Sequence, residues 1–294
     1  MTTRTIISFD YALKRLLRHK ANHEILEGFL SELLKRQIKI NSILDSESNQ
    51  ESADDKQNRV DMLVENETGE LMIIEVQYQH EIDYLLRMLF GVSKTIVDHM
   101  SKGQPYEKVK KIYSINIIYF TLGEGDDYIY HGQTDFKGIH TQHLLQLSPK
   151  QREHFKKDTP CDLYPEYYIL EVKHFDDVAR NTLDEWIYYL KNSTIKDDFK
   201  AQGMDKIRVL LAYDHLSPEE KKLYDKDIDR KLGLDSAIET AKIEGRAEGE
   251  EIGREKVLES IILDSNRLGL SIEQIKSITH VSTEKIIKIL KRLK

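Results

Sequence analysis

Two apolar runs, Arg59–Val64 and Leu71–Gln77, flank the polar stretch Glu65–Glu70, which contains Asn66 and Gly69. Paired apolar runs around such a turn predict a β-hairpin. Upstream, Phe9, Ala12, Leu13, Leu16 and Leu17 recur at helical spacing, so a first helix starts near Ser8 or Phe9. Ile25, Leu26, Phe29, Leu30, Leu33 and Leu34 mark a second. The polar stretch Asp45–Asn58 between that helix and the hairpin reads as a mobile loop. Downstream, Ile82, Leu85, Leu86, Leu89, Phe90, Ile96, Val97 and Met100 predict a long helix, stopped by Gly103-Gln104-Pro105. Ile112–Phe120 predicts a strand, Gly123–Asp127 a turn, Tyr167–Val172 another strand and Asn181–Leu190 a short helix. This order of elements predicts an α/β fold, with helices packed against a mixed sheet.

The last third changes character. Ser217-Pro218-Glu219-Glu220 combines a capping box with Pro at the first helical position. Helix is predicted from there, with breaks, to about Leu268. Gly245, Gly249 and Gly253 recur every four residues among Glu and Arg. Each costs about 1 kcal/mol against Ala, so the stretch reads as a charged helical linker, or as a stripe for close helix packing. Residues 256–294 predict three short helices, with Ser271 and Ser282 as caps, spaced as in a helix-turn-helix or a small dimerising bundle. The predicted division is 1–215, 216–255 and 256–294.

Composition narrows the setting. No apolar run approaches the roughly 20 residues that span a membrane, and no signal-peptide core follows Met1-Thr2-Thr3-Arg4. The one cysteine, Cys161, excludes an internal disulfide. A cytoplasmic location is the expectation. The net charge of −7 does not advertise nucleic-acid binding. Its distribution is uneven: residues 1–40 carry eight Lys/Arg against four Asp/Glu, and residues 275–294 six against one. These basic ends are either phosphate-binding surface or solvated helix faces.

The candidate chemistry lies on the hairpin. Glu75 and Gln77, two apart on a strand, share a face, and the neighbouring strand can bring Asp61 beside them. Glu75 interrupts an apolar run, where an unpaired carboxylate would be costly and a cation would offset the cost. Magnesium prefers hard oxygen ligands and needs one or two carboxylates. A lone Asp and Glu also occur together by chance, one ending a strand and the other facing solvent. A rival pattern is Asp162 with Glu171-Val172-Lys173, although Asp162 sits in a Pro-bounded loop. His131, His140 and His143 match no metal spacing and read as polar surface. Tyr167, Tyr168, Trp186, Tyr188 and Tyr189 read as core, or as stacking platforms where exposed.

Several stretches in order carry a resemblance: Phe9–Leu17, Ile25–Leu30, Arg59–Leu63, Ile73–Gln77, Arg87–Lys94, Val109–Ile117, Asp184–Lys191 and the Gly-Glu-Arg tail. The chain resembles the Rpn-type recombination-promoting nuclease and transposase family, a branch of the PD-(D/E)XK nuclease superfamily. The resemblance implies a restriction-endonuclease-like mixed sheet flanked by helices, with a helical C-terminal tail. It implies Asp61 and Glu75 as ligands of Mg2+ (or Mn2+), and Gln77 where the superfamily motif has Lys. Gln77 can hydrogen-bond a water but supplies neither a cation nor a base. Lys14 or Arg59 would then stabilise developing charge. The plainer reading of Lys14 is a surface ion pair with Asp10, one helical turn away. Arg87 also matches a family position, with phosphate contact and structural pairing both open. The implied function is a magnesium-dependent DNA endonuclease of mobile-element or recombination type, with the C-terminal helices aiding either DNA binding or self-association as a homo-oligomer. The alternative is a non-catalytic nucleic-acid-binding or assembly protein on a degenerate nuclease fold.

Overall fold

The computed structural model describes residues 6–44 and 61–291. The predicted loop Asp45–Asn58 and the start of the first hairpin strand, Arg59 and Val60, lie outside the described residues. The chain divides into two compact units, one ending at Tyr224 and the other starting at Asp225.

In the first unit, helices α1 (Phe9–Arg15) and α2 (His23–Leu34) precede strand β1 (Ile40–Leu44). The hairpin strands follow as β2 (Met62–Asn66) and β3 (Leu71–Gln77), then α3 (Tyr84–Asp98) and β4 (Ile112–Ile118). Next come β5 (Ile129–Gly132), α4 (Pro149–Phe155), β6 (Glu166–Glu171), α5 (Thr182–Asn192) and α6 (Met204–Leu210). The six strands form one sheet in the order β1-β2-β3-β4-β6-β5. β3, β4 and β6 run parallel at its centre, while β2 and β5 pair antiparallel with their inner neighbours. Central parallel strands are covered on both faces, so they read as nearly unbroken apolar runs. β4 is buried along its whole length.

One face of the sheet lies under α3. Val92 packs with Leu63, Leu71, Ile73 and Ile112, while Tyr84 and Met88 pack with Ile118 and Phe120. α1, α2 and α5 meet in an aromatic cluster in which Phe9, Phe29, Trp186 and Tyr189 contact edge to face or tilted. Trp186 and Tyr189 are fully buried, and Tyr167, Tyr168 and Tyr188 are half-buried. Gly28 lets α2 approach the 201–203 segment, since a Cβ there would lie 2.3 Å from the Gln202 carbonyl oxygen.

Two strands went unpredicted because they are short and at the edges. β1 is irregular between Ile40 and Ser42, and β5 is half exposed and ends in Gly132. A larger correction concerns α3. The apolar residues whose spacing predicts it, Ile82, Leu85, Leu86, Leu89, Phe90 and Val97, are exposed. Its buried side is Tyr84, Met88, Gly91, Val92 and Thr95.

α7 (Pro218–Arg267) runs for 50 residues without the predicted breaks. Its four-spaced glycines are solvated: a Cβ at Gly245, Gly249 or Gly253 meets nothing within 4 Å. The first of the three predicted terminal helices is therefore the end of α7. α8 (Ile272–Thr279) begins with the Ser271 capping box. α9 (Thr283–Lys291) begins after Ser282, whose Oγ accepts the Lys285 N–H. Ile262, Ile275, Ile286 and Ile289 form the core of this second unit.

Candidate metal and catalytic site

The β2–β3 turn is fixed by Asn66. Its Oδ1 accepts from the Thr68 N–H, the Thr68 hydroxyl and the Glu70 N–H, while its amide donates to Glu70 Oε2. Gly69 takes the left-handed conformation at φ +79° that the turn requires. The register pairs Met62 with Ile74 and Leu63 with Ile73. Glu75 and Gln77 alternate with the core on the same side as Leu71 and Ile73, the face that α3 covers.

Asp61 sits immediately before β2. Its Oδ2 accepts the Val76 N–H at 2.8 Å, which clamps the carboxylate between Glu75 and Gln77 along the neighbouring strand. Its Oδ1 lies 3.6 Å from Lys14 Nζ, and the same ammonium is 2.7 Å from Asp10 Oδ1. Asp10 is buried. Lys14 thus joins two carboxylates; the i,i+4 pair with Asp10 forms as expected, but with the Asp10 carboxylate in the interior rather than at the surface. Arg18 donates to the Asp61 carbonyl oxygen at 2.8 Å. Burial pushes the Asp61 carboxyl above the usual range, against the Lys14 charge and the Val76 amide.

Glu75 is buried and pairs through Oε1 with the Arg87 guanidinium of α3. Arg87 also donates to Glu81 Oε1 at 2.7 Å, and that oxygen accepts from Gln77 Nε2 at 2.8 Å. Glu75, Arg87, Glu81 and Gln77 therefore form one continuous network. Burial raises the Glu75 carboxyl to about 7, with Arg87 opposing and the charges of Asp61 and Glu81 adding to the rise. Tyr84, on the first turn of α3, donates its hydroxyl to Asn116 Oδ1 at 3.3 Å. Burial, and then the nearby Glu75 charge, holds the Tyr84 phenol protonated.

Asp61, Glu75, Gln77, Lys14 and Arg87 thus occupy one region, while Arg59 lies outside the described residues. Three members carried no motif: Asp10, Glu81 and Tyr84. Asp10 left a signal, as a carboxylate inside the apolar run Phe9–Leu13. Glu81 left none, because its role depends on the turn between β3 and α3. The rival pattern is dispersed. Asp162 accepts from the Thr159 N–H and hydroxyl of its own turn, Glu171 Oε1 accepts from the Leu122 N–H, and Glu171 Oε2 lies 3.0 Å from His174 Nδ1. His131 bonds Glu166. Among the described residues, no three His, Cys, Asp or Glu side chains converge as a metal cage.

The donor set still fits a hard divalent ion. Asp61 and Glu75 offer carboxylate oxygens from adjacent strands, and the burial cost on Glu75 is one that a second positive charge offsets. On the Lys14 side the surface is basic: Lys14, Arg15, Arg18 and Lys20 are all exposed around the end of α1.

A family model described as PD-(D/E)XK nuclease family transposase matches residues 7–241. No curated protein and no solved structure matches the chain.

Proposed function

The chain belongs to the PD-(D/E)XK nuclease family of transposases, and from that premise we propose that it hydrolyses DNA phosphodiesters at Asp61, Glu75 and Gln77 with a divalent metal, magnesium or manganese. The observation that carries the reading is the Val76 N–H···Asp61 bond, which sets a partly exposed carboxylate against the strand that bears Glu75 and Gln77.

Asp61 and Glu75 would hold the metal, which when bound supplies charge neutralisation and water activation. Gln77 has an amide to orient the attacking water and no proton-accepting group for neutral pH. Its Nε2 is fixed by Glu81, which leaves the amide oxygen as its acceptor for a water. The Lys14 ammonium stands at Asp61 Oδ1 and stabilises negative charge building on a phosphate placed there. Arg15 and Arg18 bind flanking phosphates, a sequence-independent and salt-sensitive contribution. Arg87 orients Glu75 through their ion pair.

The absence of a lysine at Gln77 favours a second reading, a DNA-binding protein without hydrolysis. Supercoiled plasmid incubated with the full chain separates the two. Nicking in magnesium that EDTA abolishes supports the nuclease. Binding without nicking in either metal supports the second reading, and neither binding nor nicking contradicts both.

A further inference from the structure

The outer face of α3 has the composition of an interior, and it is exposed among the described residues. Ile82, just ahead of the helix, and Leu85, Leu86, Leu89, Phe90 and Val97 are between 45% and 95% exposed. Leu86, Leu89, Ser93 and Val97 follow one another at intervals of three, four and four, a single helical stripe, with Ile82 in the turn just before the helix. Leu85 and Phe90 widen it on either side. The polar residue within the stripe, Ser93, turns its hydroxyl back onto the Leu89 carbonyl oxygen at 2.8 Å. The nearest cations are engaged within the chain: Arg87 with Glu75 and Glu81, and Lys94 with Asp98. A charged partner, DNA included, gains little from such a face.

We infer that this face is where a second copy of the chain docks, α3 against α3, antiparallel about a two-fold axis near Leu89 and Phe90. The stripe exposes on the order of 600 Å2 of apolar surface, at the upper end of what a monomer carries and close to the roughly 800 Å2 that each partner of a stable interface buries. An isologous contact needs a surface that complements itself. An antiparallel pair centred there sets Leu89 against Phe90, Leu86 against the small Ser93 and Ile82 against Val97, so large residues meet large ones at the centre and ends and a small one between. Residues 45–60 contain only Ala53 and Val60 as apolar side chains, a composition that does not complement an apolar stripe. The inference does not depend on the nuclease reading, and its test reads no cleavage.

Sedimentation equilibrium of the full chain at micromolar concentration is expected to give twice the chain mass. Leu86→Glu with Leu89→Glu is expected to weaken dimerisation at least 100-fold with an unchanged far-ultraviolet circular dichroism spectrum, since both side chains face water in the monomer. In a Cys161→Ser background, Leu89→Cys is expected to form a disulfide-linked dimer on mild oxidation. A monomeric wild type at tens of micromolar overturns the inference. So does a dimer that survives the glutamates, or a Leu89→Cys thiol closed to maleimide in a monomer, which would mean that residues 225–294 of the same chain cover the stripe.

Discussion

Glu75 is the residue on which the folded state and the proposed chemistry pull in opposite directions. In the unfolded chain it loses its proton near 4.5, and in the folded chain near 7. Between those values the folded protein binds more protons than the unfolded one, so this residue's contribution to stability falls as pH rises from about 4.5 through about 7 and stays low above. The fall is on the order of 1–3 kcal/mol. Thermal melts of wild type and Glu75→Gln across that range are expected to converge toward pH 4 and to separate above pH 7, with the variant the more stable. Parallel curves would mean that Arg87 compensates the Glu75 charge fully. Lys14 works in the other direction, as the ammonium within 2.7 Å of the buried Asp10. Lys14→Met is expected to cost about 1–2 kcal/mol, less than a fully buried pair because the lysine is partly exposed. Lys14→Arg is expected to restore most of it, as read by urea denaturation.

At the scale of elements, glycines of one sequence appearance differ in sign. Gly28 faces the Gln202 carbonyl at a distance no Cβ tolerates, so Gly28→Ala must push α2 from the 201–203 segment. A loss above about 2 kcal/mol is expected. Gly245, Gly249 and Gly253 face open space, and changing each to Ala is expected to add about 0.8–1 kcal/mol of helix stability. Circular dichroism melts check both, and equal signs would contradict the packing described. What was legible in the sequence follows the same logic. β2, β3, β4 and β6 showed themselves through apolar runs that burial demands, and α5 through its spacing. β1 and β5 bury too little to leave such a run. α3 was found by its apolar period, but the period marked its exposed side, because one helix carries apolar residues toward both sheet and solvent.

For the whole molecule, the β2–β3 hairpin, α1 and α3 deliver the site's groups from three parts of the chain. Asp61, Glu75 and Gln77 could be proposed together from the hairpin pattern, because strand periodicity is local and Asp61 adjoins the first strand. Glu81 could not, since its role depends on the turn between β3 and α3, and Asp10 was marked only by its place in an apolar run. The family match stops at residue 241 of 294, so α8 and α9 lie beyond it, while the start of the second unit lies within it. The central claim is that one metal-dependent centre for DNA hydrolysis lies where Asp61 meets Glu75. The most direct test is the rate of magnesium-dependent plasmid nicking by wild type, Asp61→Ala and Glu75→Ala, each shown to be folded by circular dichroism. The account predicts a loss of about 100-fold or more in both variants. Nicking at the wild-type rate in either folded variant would contradict it.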